Sequence, residues 1–474
     1  MAEGDKRIII MGGGPAGLAA GKVLTDAGAA ATVLEKADGV GGLSRTHSHN
    51  GFLFDLGGHR FFTKKAELDQ FLHRLMVDEL IDVDRSSKIY FLQKYFNYPP
   101  TFLNAFRGLG PVMSARIFGS FVIDRWKYRA QNAVTLEDWM IQQFGRRMYE
   151  IFFKTYTEKV WGVPCTQVSA AWAAQRIKGM SLLGTIKESI LPSKQERPVS
   201  LIGNFKYPAH GIGRISERLA QEIRKRNEIK LNARAVGVLH QNHRVTGVKV
   251  RYADGREEFL EATHVLSSIP VTELIMILDP PAPEEVKEAA RKLRYRDLVV
   301  VAMMFDRERI TQDTWIYIPD PAITFGRLHE PTNWSPAMSP PGKTSLVFEY
   351  FCFETDPVWT TPDDKLAADT LQDFVRIQLA PGAEKYVCDH CVVRAKKAYP
   401  MHDIGHEKHL EKIKSYVEGI ADLVLIGRYG QFVYNNMDHS IETGIRAARE
   451  VLGAEVGGGP VVKDEYLEMK YSHD

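Results

Sequence analysis

Three glycines near the N-terminus have the spacing of a loop that contacts a diphosphate. Gly12, Gly14 and Gly17 fit the pattern Gly-x-Gly-x-x-Gly and follow a short apolar run. In such a loop the first glycine permits a tight turn, the second lets the backbone approach a pyrophosphate, and the third lets helix and strand pack closely. Pro15 directly precedes the helix predicted from Ala16, whose free N–H groups and partial positive charge favour phosphate. The spacing therefore predicts a dinucleotide site.

An acidic residue follows at the position where a ribose would lie. A strand at Ala31–Glu35 is predicted after the helix at Ala16–Ala27, which completes a strand–helix–strand unit. Glu35 comes eighteen residues after Gly17, and its carboxylate can accept hydrogen bonds from a ribose diol. We predict cofactor contacts from Glu35 and the neighbouring Lys36. This fingerprint alone does not separate a nicotinamide dinucleotide from a flavin dinucleotide.

Two further glycine pairs follow the acidic residue. They lie in the segments Gly41-Gly42-Leu43-Ser44 and Gly57-Gly58-His59. With the first fingerprint, these segments resemble the amine oxidase and protoporphyrinogen oxidase superfamily of flavoproteins. In that superfamily a second glycine pair lies against the FAD diphosphate, and a nicotinamide Rossmann domain has no such loop. The resemblance therefore implies FAD as the cofactor, bound by the residues of both segments.

Later motifs resemble those of the UDP-galactopyranose mutases, in an order closer to the eukaryotic-type members than to the common bacterial ones. The resemblance runs from residue 7 to about residue 452 and rests on residues 57–62, 159–164, 174–176, 205–208, 325–327 and 427–430. It implies a flavin-dependent isomerase that interconverts pyranose and furanose forms of a nucleotide sugar. The nucleophile at the anomeric carbon would be N5 of reduced FAD, with NAD(P)H as a candidate reductant.

The resemblance also implies roles for individual side chains near the flavin. The histidine that matches His59 lies against the isoalloxazine, which it would orient; otherwise His59 is a packed neutral histidine. Further cofactor contacts are predicted from Val236, Gly427, Arg428, Asn436, Asp438 and Ser440. We expect Asp438 and Ser440 to cap the last helix, predicted at Ile441–Leu452. Its N-terminus would face the flavin pyrimidine edge and stabilise the anionic reduced flavin.

Three arginines are suited to a substrate diphosphate. A guanidinium offers a planar fork of donors that stays charged, and Arg176, Arg327 and Arg428 stand beside aromatics or in glycine-flanked loops. Any one of them could instead form a surface ion pair. Arg428 is the strongest candidate because it follows an apolar strand at the carboxyl edge of a sheet, where α/β proteins bind ligands. His59, Arg327 and Arg428 form the predicted catalytic set.

The other predicted substrate contacts are mostly aromatic. Tyr434 can donate a phenolic hydrogen bond to a phosphate and Trp161 can cover a sugar or base, although both could be ordinary core aromatics. The remaining candidates are Tyr90, Thr157, Tyr399 and Asn436. Thr157 stands where eukaryotic-type mutases usually carry Asn, and Trp334 stands where they have Tyr. These departures leave the uridine base and the galactose open.

A second hypothesis is an FAD-dependent oxidoreductase of the amine oxidase, protoporphyrinogen oxidase or desaturase type, since a fold does not fix a function. The substrate side separates the two enzymes: arginines for a diphosphate favour the mutase, and an apolar tunnel favours the oxidase. A non-catalytic flavin-binding protein is the third hypothesis.

Composition narrows the class of protein. The 474 residues carry 61 basic and 59 acidic side chains, so the formal net charge is +2, and nothing in this balance argues for nucleic acid or an anionic membrane surface. The longest apolar run, Leu298–Phe305, is too short to span a membrane, and the N-terminus has no apolar signal region. Four cysteines suggest a reducing cytoplasm. The single C-x-x-C of Cys388 and Cys391 lies in a predicted strand, and we predict no metal site.

The predicted fold class is α/β, with a discontinuous Rossmann-type FAD-binding domain, a helical domain and a mixed α+β substrate domain. The FAD-binding domain is predicted to comprise residues 1–98, 200–270 and 421–453. Residues 99–199 would form a mainly helical domain on the substrate side, and residues 271–420 a sheet-containing substrate domain. Residues 454–474 form a polar tail. The oligomeric state stays open.

Overall fold

The computed structural model describes residues 6–98, 110–128, 133–170, 172 and 204–453. Arg176 and the tail at 454–474 lie outside the described residues. Within them, parallel strands and flanking helices confirm the predicted α/β class with a Rossmann-type unit.

A five-stranded parallel sheet is built from distant parts of the chain. In spatial order its strands are β20 (Leu423–Leu425), β13 (His264–Ser267), β1 (Arg7–Met11), β2 (Ala30–Leu34) and β9 (Glu228–Lys230). Along β1, Ile8 and Ile10 pack into one core cluster and Ile9 and Met11 into another. Because strand side chains alternate between faces, this apolar run buries both faces of the sheet, as a parallel sheet requires.

A second sheet has four strands, which come from residues 233–279. Its strands, in spatial order, are β12 (Glu257–Glu261), β11 (Arg244–Tyr252), β10 (Ala233–Gln241) and β14 (Leu278–Asp279). The turns predicted at 241–243 and 253–255 connect β10 to β11 and β11 to β12. Asn242 and His243 both have positive φ, which is the conformation that tight hairpin turns need.

The largest sheet has seven strands. They are, in spatial order, β19 (Val387–Pro400), β15 (Tyr295–Phe305), β18 (Thr344–Cys352), β17 (Arg327–His329), β16 (Trp315–Tyr317), β6 (Ser87–Phe91) and β7 (Lys94–Asn97). Every residue of β15 is buried, which explains its long apolar run. Residues 87–97 belong to this sheet although the sequence-based division assigns them to the first domain, because β6 pairs with β16.

Two ribbons complete the described strands. One pairs β3 (Thr46–His49) with β4 (Phe52–Asp55), and the other pairs β5 (Leu80–Asp84) with β8 (Asn204–Pro208). The second ribbon joins the segment before residue 98 to the segment after residue 200.

The helices cover the sheets and form one separate layer. In chain order they are α1 (Pro15–Asp26), α2 (Ala66–Met76), α3 (Pro111–Lys127), α4 (Leu136–Phe144), α5 (Arg146–Met148), α6 (Thr155–Trp161), α7 (Gly213–Ile223), α8 (Val271–Met276), α9 (Glu284–Lys292), α10 (Pro357–Thr360), α11 (Asp363–Arg376), α12 (His406–Glu418), α13 (Gly427–Gln431) and α14 (Met437–Val451). A π-helical segment, Tyr149–Lys154, joins α5 to α6. Helices α3 to α6 make the layer that carries Thr157 and Trp161.

Candidate functional site

The N-terminal glycine loop leaves space for a ligand beside α1. A Cβ added at Gly17 would overlap the carbonyl oxygen of Gly12, so the close approach of helix and loop needs glycine there. A Cβ at Gly14 would meet no atom within 4 Å, and no side chain caps the N-terminus of α1. The free N–H groups of the first turn and the open space at Gly14 fit a bound phosphate.

Glu35 supports this loop from the end of β2. Its Oε2 accepts a hydrogen bond from the Gly13 amide at 2.8 Å, and its Oε1 accepts one from the Ala37 amide at 2.8 Å. The side chain is only 7% exposed, so it is fixed in place. Because a carboxylate has about four lone pairs to offer, acceptor capacity remains for a ribose. Lys36, the next residue, is exposed.

The second glycine segment lies directly against the first. The Gly41 amide donates to the Gly13 carbonyl at 2.8 Å, and a Cβ on Gly42 would come 3.6 Å from the Gly14 Cα. Ser44 is buried in the same short 3-10 turn. The structure therefore brings the two glycine loops together, as the resemblance implies.

Val236 occupies an irregular position in β10. Ala235 pairs with Val250 and Gly237 with Lys249, so Val236 is the bulged residue, without a partner in the ladder. It borders a cavity of about 830 Å³. Three residues earlier in β10, the Ala233 amide donates to the Glu35 carbonyl at 2.9 Å. The bulge therefore lies three residues from the point where β10 contacts Glu35, the residue predicted to bind the ribose.

A second group of residues surrounds His59. Gly57 lies against Glu349 and Arg327, since a Cβ there would come 2.7 Å from Oε2 of Glu349 and 3.6 Å from Nη2 of Arg327. Burial, and after it the positive charge of Arg428, lowers the pKa of His59 to about 4. His59 is therefore a neutral imidazole at physiological pH, able to donate from one ring nitrogen and accept at the other.

Arg327 is held by a carboxylate that the sequence analysis did not identify. Its Nε donates to Oε1 of Glu349 at 2.7 Å and its Nη2 donates to Oε2. Glu349 is 0% exposed. Burial alone would raise the pKa of Glu349, but the charge of Arg327 and hydrogen bonds from His329 and Arg327 lower it to about 2. The pair is a bidentate, buried ion pair, which fixes the orientation of the guanidinium.

Arg428 makes different contacts. Its Nη2 and Nε donate to the Asn435 carbonyl at 2.6 and 3.2 Å, and its Nη1 donates to the Ala398 carbonyl at 3.0 Å. Its guanidinium carbon lies 5.6 Å from the ring centre of Tyr399 and 5.4 Å from that of Tyr434. Among the described residues, no carboxylate lies within ion-pair distance of Arg428. The charge is therefore balanced by carbonyl dipoles and aromatic faces.

Aromatic side chains enclose these arginines. Tyr399 stacks on Tyr434 with ring centres 5.6 Å apart, and the rings of Trp161 and Trp172 stand edge-on to Tyr434. Tyr156 and Tyr317 were not predicted from the sequence. Their rings meet edge-to-face at 5.5 Å, and Tyr317 pairs with Arg327 across β16 and β17. Strand register places Tyr317, and the packing of α6 against this sheet places Tyr156; no local motif carries either property.

Lys159 explains part of the motif at 159–164. Its Nζ donates to the carbonyls of Ile318, Asp320 and Ile323 at 2.8, 2.6 and 2.8 Å. Burial lowers the pKa of Lys159 to about 8, so the ammonium keeps all three donors at neutral pH. We call Lys159 and the loop 318–326 the lysine clamp. It ties α6 to the connection between Tyr317 and Arg327.

Three further residues that the sequence places on the substrate side are buried, and Trp334 lies 3.6 Å from the position of a Cβ on Gly58. Tyr90 is 4% exposed and packs on Tyr95 in a core cluster of the seven-stranded sheet. Trp334 is 3% exposed, donates from Nε1 to the Thr314 carbonyl at 2.7 Å and packs on Tyr207. Thr157 is buried in α6 beside the layer's core. Arg176 is outside the described residues.

The predicted start of the last helix was wrong. Helix α14 begins at Met437, with Asn436 as N-cap and no side-chain cap, so Asp438 and Ser440 lie within its first turn. Ser440 instead donates to Oδ1 of Asn435 at 3.0 Å. The Nδ2 of Asn435 is buried without a hydrogen-bond partner among the described residues. Asn436 has the extended backbone conformation that ends the loop before α14. The side-chain preferences in the sequence did not reveal this earlier start of the helix.

A family model matches residues 15–452, and its description is flavin containing amine oxidoreductase. The match begins at the start of α1 and includes Gly17, the glycine segments at 41–42 and 57–58, the arginines and the N-terminus of α14. The chain belongs to this family.

Several solved structures superpose on most of this chain. A reduced UDP-galactopyranose mutase is 24% identical, with a TM-score of 0.82 over 94% of each chain. A protein from Exiguobacterium sp. 255-15, provisionally described as a protoporphyrinogen oxidase, is 18% identical, with a TM-score of 0.73 over 94% of this chain and 99% of the other. Wild-type putrescine oxidase bound to putrescine is 18% identical, with a TM-score of 0.64 and the same coverage. At these identities the likeness shows a shared fold.

Membership of the family makes this protein a flavin-dependent enzyme and implies FAD. Three features of the structure fit that cofactor: the open space at Gly14, the unpaired ladder position of Val236 and the orphaned donor of Asn435 at the uncapped start of α14. Among the described residues, no group of three or more His, Cys, Asp or Glu side chains is arranged to hold a metal ion. In the same residues, no helix is long and apolar enough to cross a bilayer.

Proposed function

We propose that this flavoprotein is a mutase that interconverts the pyranose and furanose forms of a nucleotide diphospho-sugar. The observation that supports the proposal is the convergence of Arg327 and Arg428 on His59, with Tyr156, Tyr399 and Tyr434 beside the two arginines. Such a site is cationic and rich in hydrogen-bond donors. A diphosphate can use both properties, whereas an apolar substrate would leave buried donors unpaired at a cost in free energy.

Each arginine keeps donors for a phosphate. A guanidinium has five N–H groups. The three contacts of Arg428 leave two of them free, and the two contacts of Arg327 to Glu349 leave three. Arg428 carries the larger share of the attraction in this proposal, because Glu349 already neutralises Arg327. The pairing with Glu349 instead fixes the fork of Arg327 before the substrate arrives, which lowers the entropic cost of binding.

The remaining side chains orient the reactants. Neutral His59 would hydrogen-bond the isoalloxazine, and Tyr399 and Tyr434 would donate to phosphate oxygens. Trp161, predicted to cover a sugar or base, is only 2% exposed and packs edge-on against Tyr434 instead. Reduced FAD, when bound, supplies the nucleophile at the anomeric carbon. The N-terminus of α14, with Asn436 at its cap, stabilises negative charge on the reduced cofactor. NAD(P)H is the proposed reductant. The four cysteines are free, which supports the proposed cytoplasmic location.

An oxidoreductase of the same family is the second candidate. The ion pair of Arg327 with Glu349 favours it, because a neutralised pair adds little net charge for a diphosphate. In that enzyme Arg428 would serve mainly to hold the carbonyls of Ala398 and Asn435.

The test is a product screen with the purified flavoprotein. The enzyme is reduced under anaerobic conditions and incubated with UDP-, GDP- and dTDP-hexopyranoses, and furanose products are separated by chromatography. The oxidised enzyme is run in parallel. The mutase proposal predicts that the reduced enzyme forms a furanose product and that the oxidised enzyme does not. Failure with all three nucleotides, together with oxygen-dependent turnover of a porphyrinogen, amine or polyene, would establish the oxidoreductase.

A further inference from the structure

Helix α3 (Pro111–Lys127) presents a large apolar face to solvent. One side packs into the helical layer through Ile117, Phe121 and Asp124. The opposite side exposes five large apolar residues, namely Val112 (67% exposed), Phe118 (51%), Val122 (51%), Ile123 (65%) and Trp126 (83%). These make up a large part of the exposed large apolar side chains in the described chain. A concentration of this kind on one helix marks an interaction surface.

The charges on α3 are arranged around this face. At 3.6 residues per turn, the exposed apolar residues span an arc of about 140°. Arg116 and Lys127 fall on one edge of the arc and Arg125 on the other, and all three are exposed. The one acidic residue of the helix, Asp124, is buried and accepts hydrogen bonds from Ser120 Oγ at 2.9 Å and the Arg146 amide at 2.7 Å. On α3 itself, the exposed charged residues that border the apolar face are therefore all cationic.

We propose that α3 is a peripheral membrane-binding helix that lies in the headgroup region of an anionic bilayer. An apolar face with basic residues along both edges is the pattern of helices that lie in the membrane interface. Trp126 is an aromatic residue suited to that region, and the long basic side chains at the edges can reach phosphate groups while their stems cover apolar surface.

A second copy of the chain fits this surface less well. Two α3 helices packed face to face would bring their cationic edges together, and neither helix offers an exposed acidic residue to pair with them. Like charges in an interface oppose association. Anionic lipids remove that conflict, because each basic residue near such a surface strengthens binding about fivefold. The overall charge of +2 hides this local concentration of cations.

The proposal also places the candidate site relative to the bilayer. Asp124 binds the first residue of α5, and α5 continues through the π-helical segment into α6, which carries Thr157 and Trp161. The helical layer on the substrate side would therefore be the part of the enzyme that rests on the membrane. This inference does not depend on whether the enzyme is a mutase or an oxidoreductase.

The experiment is vesicle flotation of the FAD-loaded full-length protein at low ionic strength. The vesicles contain phosphatidylcholine alone, or phosphatidylcholine with about 30% phosphatidylglycerol. The second composition gives an anionic surface. The wild type is expected to float with the anionic vesicles only. V122S/W126S should bind at least tenfold more weakly, and R125Q/K127Q should also lose binding and salt sensitivity. F259S, which changes a half-exposed phenylalanine on β12, is the matched control and should float like the wild type.

Two results would overturn the proposal. One is absence of wild-type flotation with anionic vesicles, or flotation that V122S/W126S retains in full. The other is sedimentation velocity showing that the wild type self-associates through this face, with V122S/W126S dissociating it while no vesicle binding occurs. Tryptophan emission gives a second readout: anionic vesicles should shift the wild-type emission to shorter wavelength, and W126F should lose that shift while still floating.

Discussion

Gly14 differs from the other glycines of the fingerprint because no neighbouring protein atom requires it. Its φ of −81° is accessible to any residue, and no atom lies within 4 Å of the position that a Cβ would occupy. Gly17, in contrast, packs against the backbone of Gly12. The protein can therefore tolerate a side chain at residue 14, and the cofactor diphosphate cannot.

The first prediction follows from that difference. Gly14→Val should fold with an unfolding midpoint close to that of the wild type but be purified without its yellow colour, because the branched side chain fills the space next to the pyrophosphate. Flavin absorbance and thermal unfolding are measured on the same sample. Gly28→Val, at a glycine with nothing within 4 Å but a positive φ of 74°, should retain FAD and lose stability. Full flavin occupancy in Gly14→Val would refute the assignment of this loop.

His59 provides the second prediction at this scale. Since burial and the charge of Arg428 lower the pKa of His59 to about 4, its hydrogen bonds to the flavin should not change between pH 5.5 and 8. We expect His59→Ala to keep FAD, lose most of its turnover and shift the flavin midpoint potential. The measurements are redox titration and turnover across that pH range. An unaltered potential and rate would make His59 a packing residue only.

The elements around the site are held together by contacts between distant parts of the chain. Lys159 at the end of α6 reaches three carbonyls of the loop 318–326, and Glu349 on β18 holds Arg327 on β17. The sequence motifs mark Lys159 and Arg327, but their partners could not be found from the sequence alone, because the pairing depends on which elements are neighbours in the fold. The local units were easier to predict: α1 and β2 lie within one residue of their predicted bounds.

The lysine clamp gives a prediction for these elements. Lys159→Met should lower the free energy of unfolding by about 1–3 kcal/mol, because buried carbonyls lose their donors. It should also weaken substrate binding, because the loop that loses its contacts to Lys159 directly precedes Arg327 in the chain. The FAD content should stay normal. Lys343→Met, at a lysine with a 40% exposed side chain, is the control. A Lys159→Met variant with unchanged stability and affinity would show that the clamp positions nothing.

At the scale of the whole molecule, the five-stranded sheet uses segments from both ends of the chain. Hydrophobic periodicity and the late apolar strand made this arrangement predictable, because a lone strand at residues 423–425 needs neighbours. The assignment of residues 87–97 was not predictable in the same way, since a short hairpin carries no signal for the sheet that it joins. The fold class can be predicted from the hydrophobic pattern of the sequence, whereas the arrangement of the site depends on strand register and side-chain packing.

Buried histidines make the stability of the whole molecule depend on pH. Burial lowers the pKa of His402 to about 3 and that of His59 to about 4. Below the ordinary pKa of about 6.5, the unfolded chain takes up protons that the folded chain cannot, so the unfolding free energy falls as the pH drops from 6.5 towards 4. We predict that, between pH 7 and pH 4.5, the free energy of unfolding of His402→Gln falls by about 2 kcal/mol less than that of the wild type. Denaturation at the two pH values measures this difference. An equal loss of unfolding free energy in both proteins would show that His402 does not cause the pH dependence.

The central claim is that Arg428 binds a substrate phosphate. It is tested most directly by titrating UDP and GDP calorimetrically into the reduced, FAD-loaded wild type and into Arg428→Ala. Arg394→Ala is the control, because Arg394 also donates to two backbone carbonyls, those of Trp359 and Thr361, but lies outside the site. We predict that Arg428→Ala binds about 30- to 1000-fold more weakly, which corresponds to about 2–4 kcal/mol, and that Arg394→Ala binds as the wild type does. Absence of binding to the wild type, or equal affinity in Arg428→Ala at full FAD content, would contradict the account.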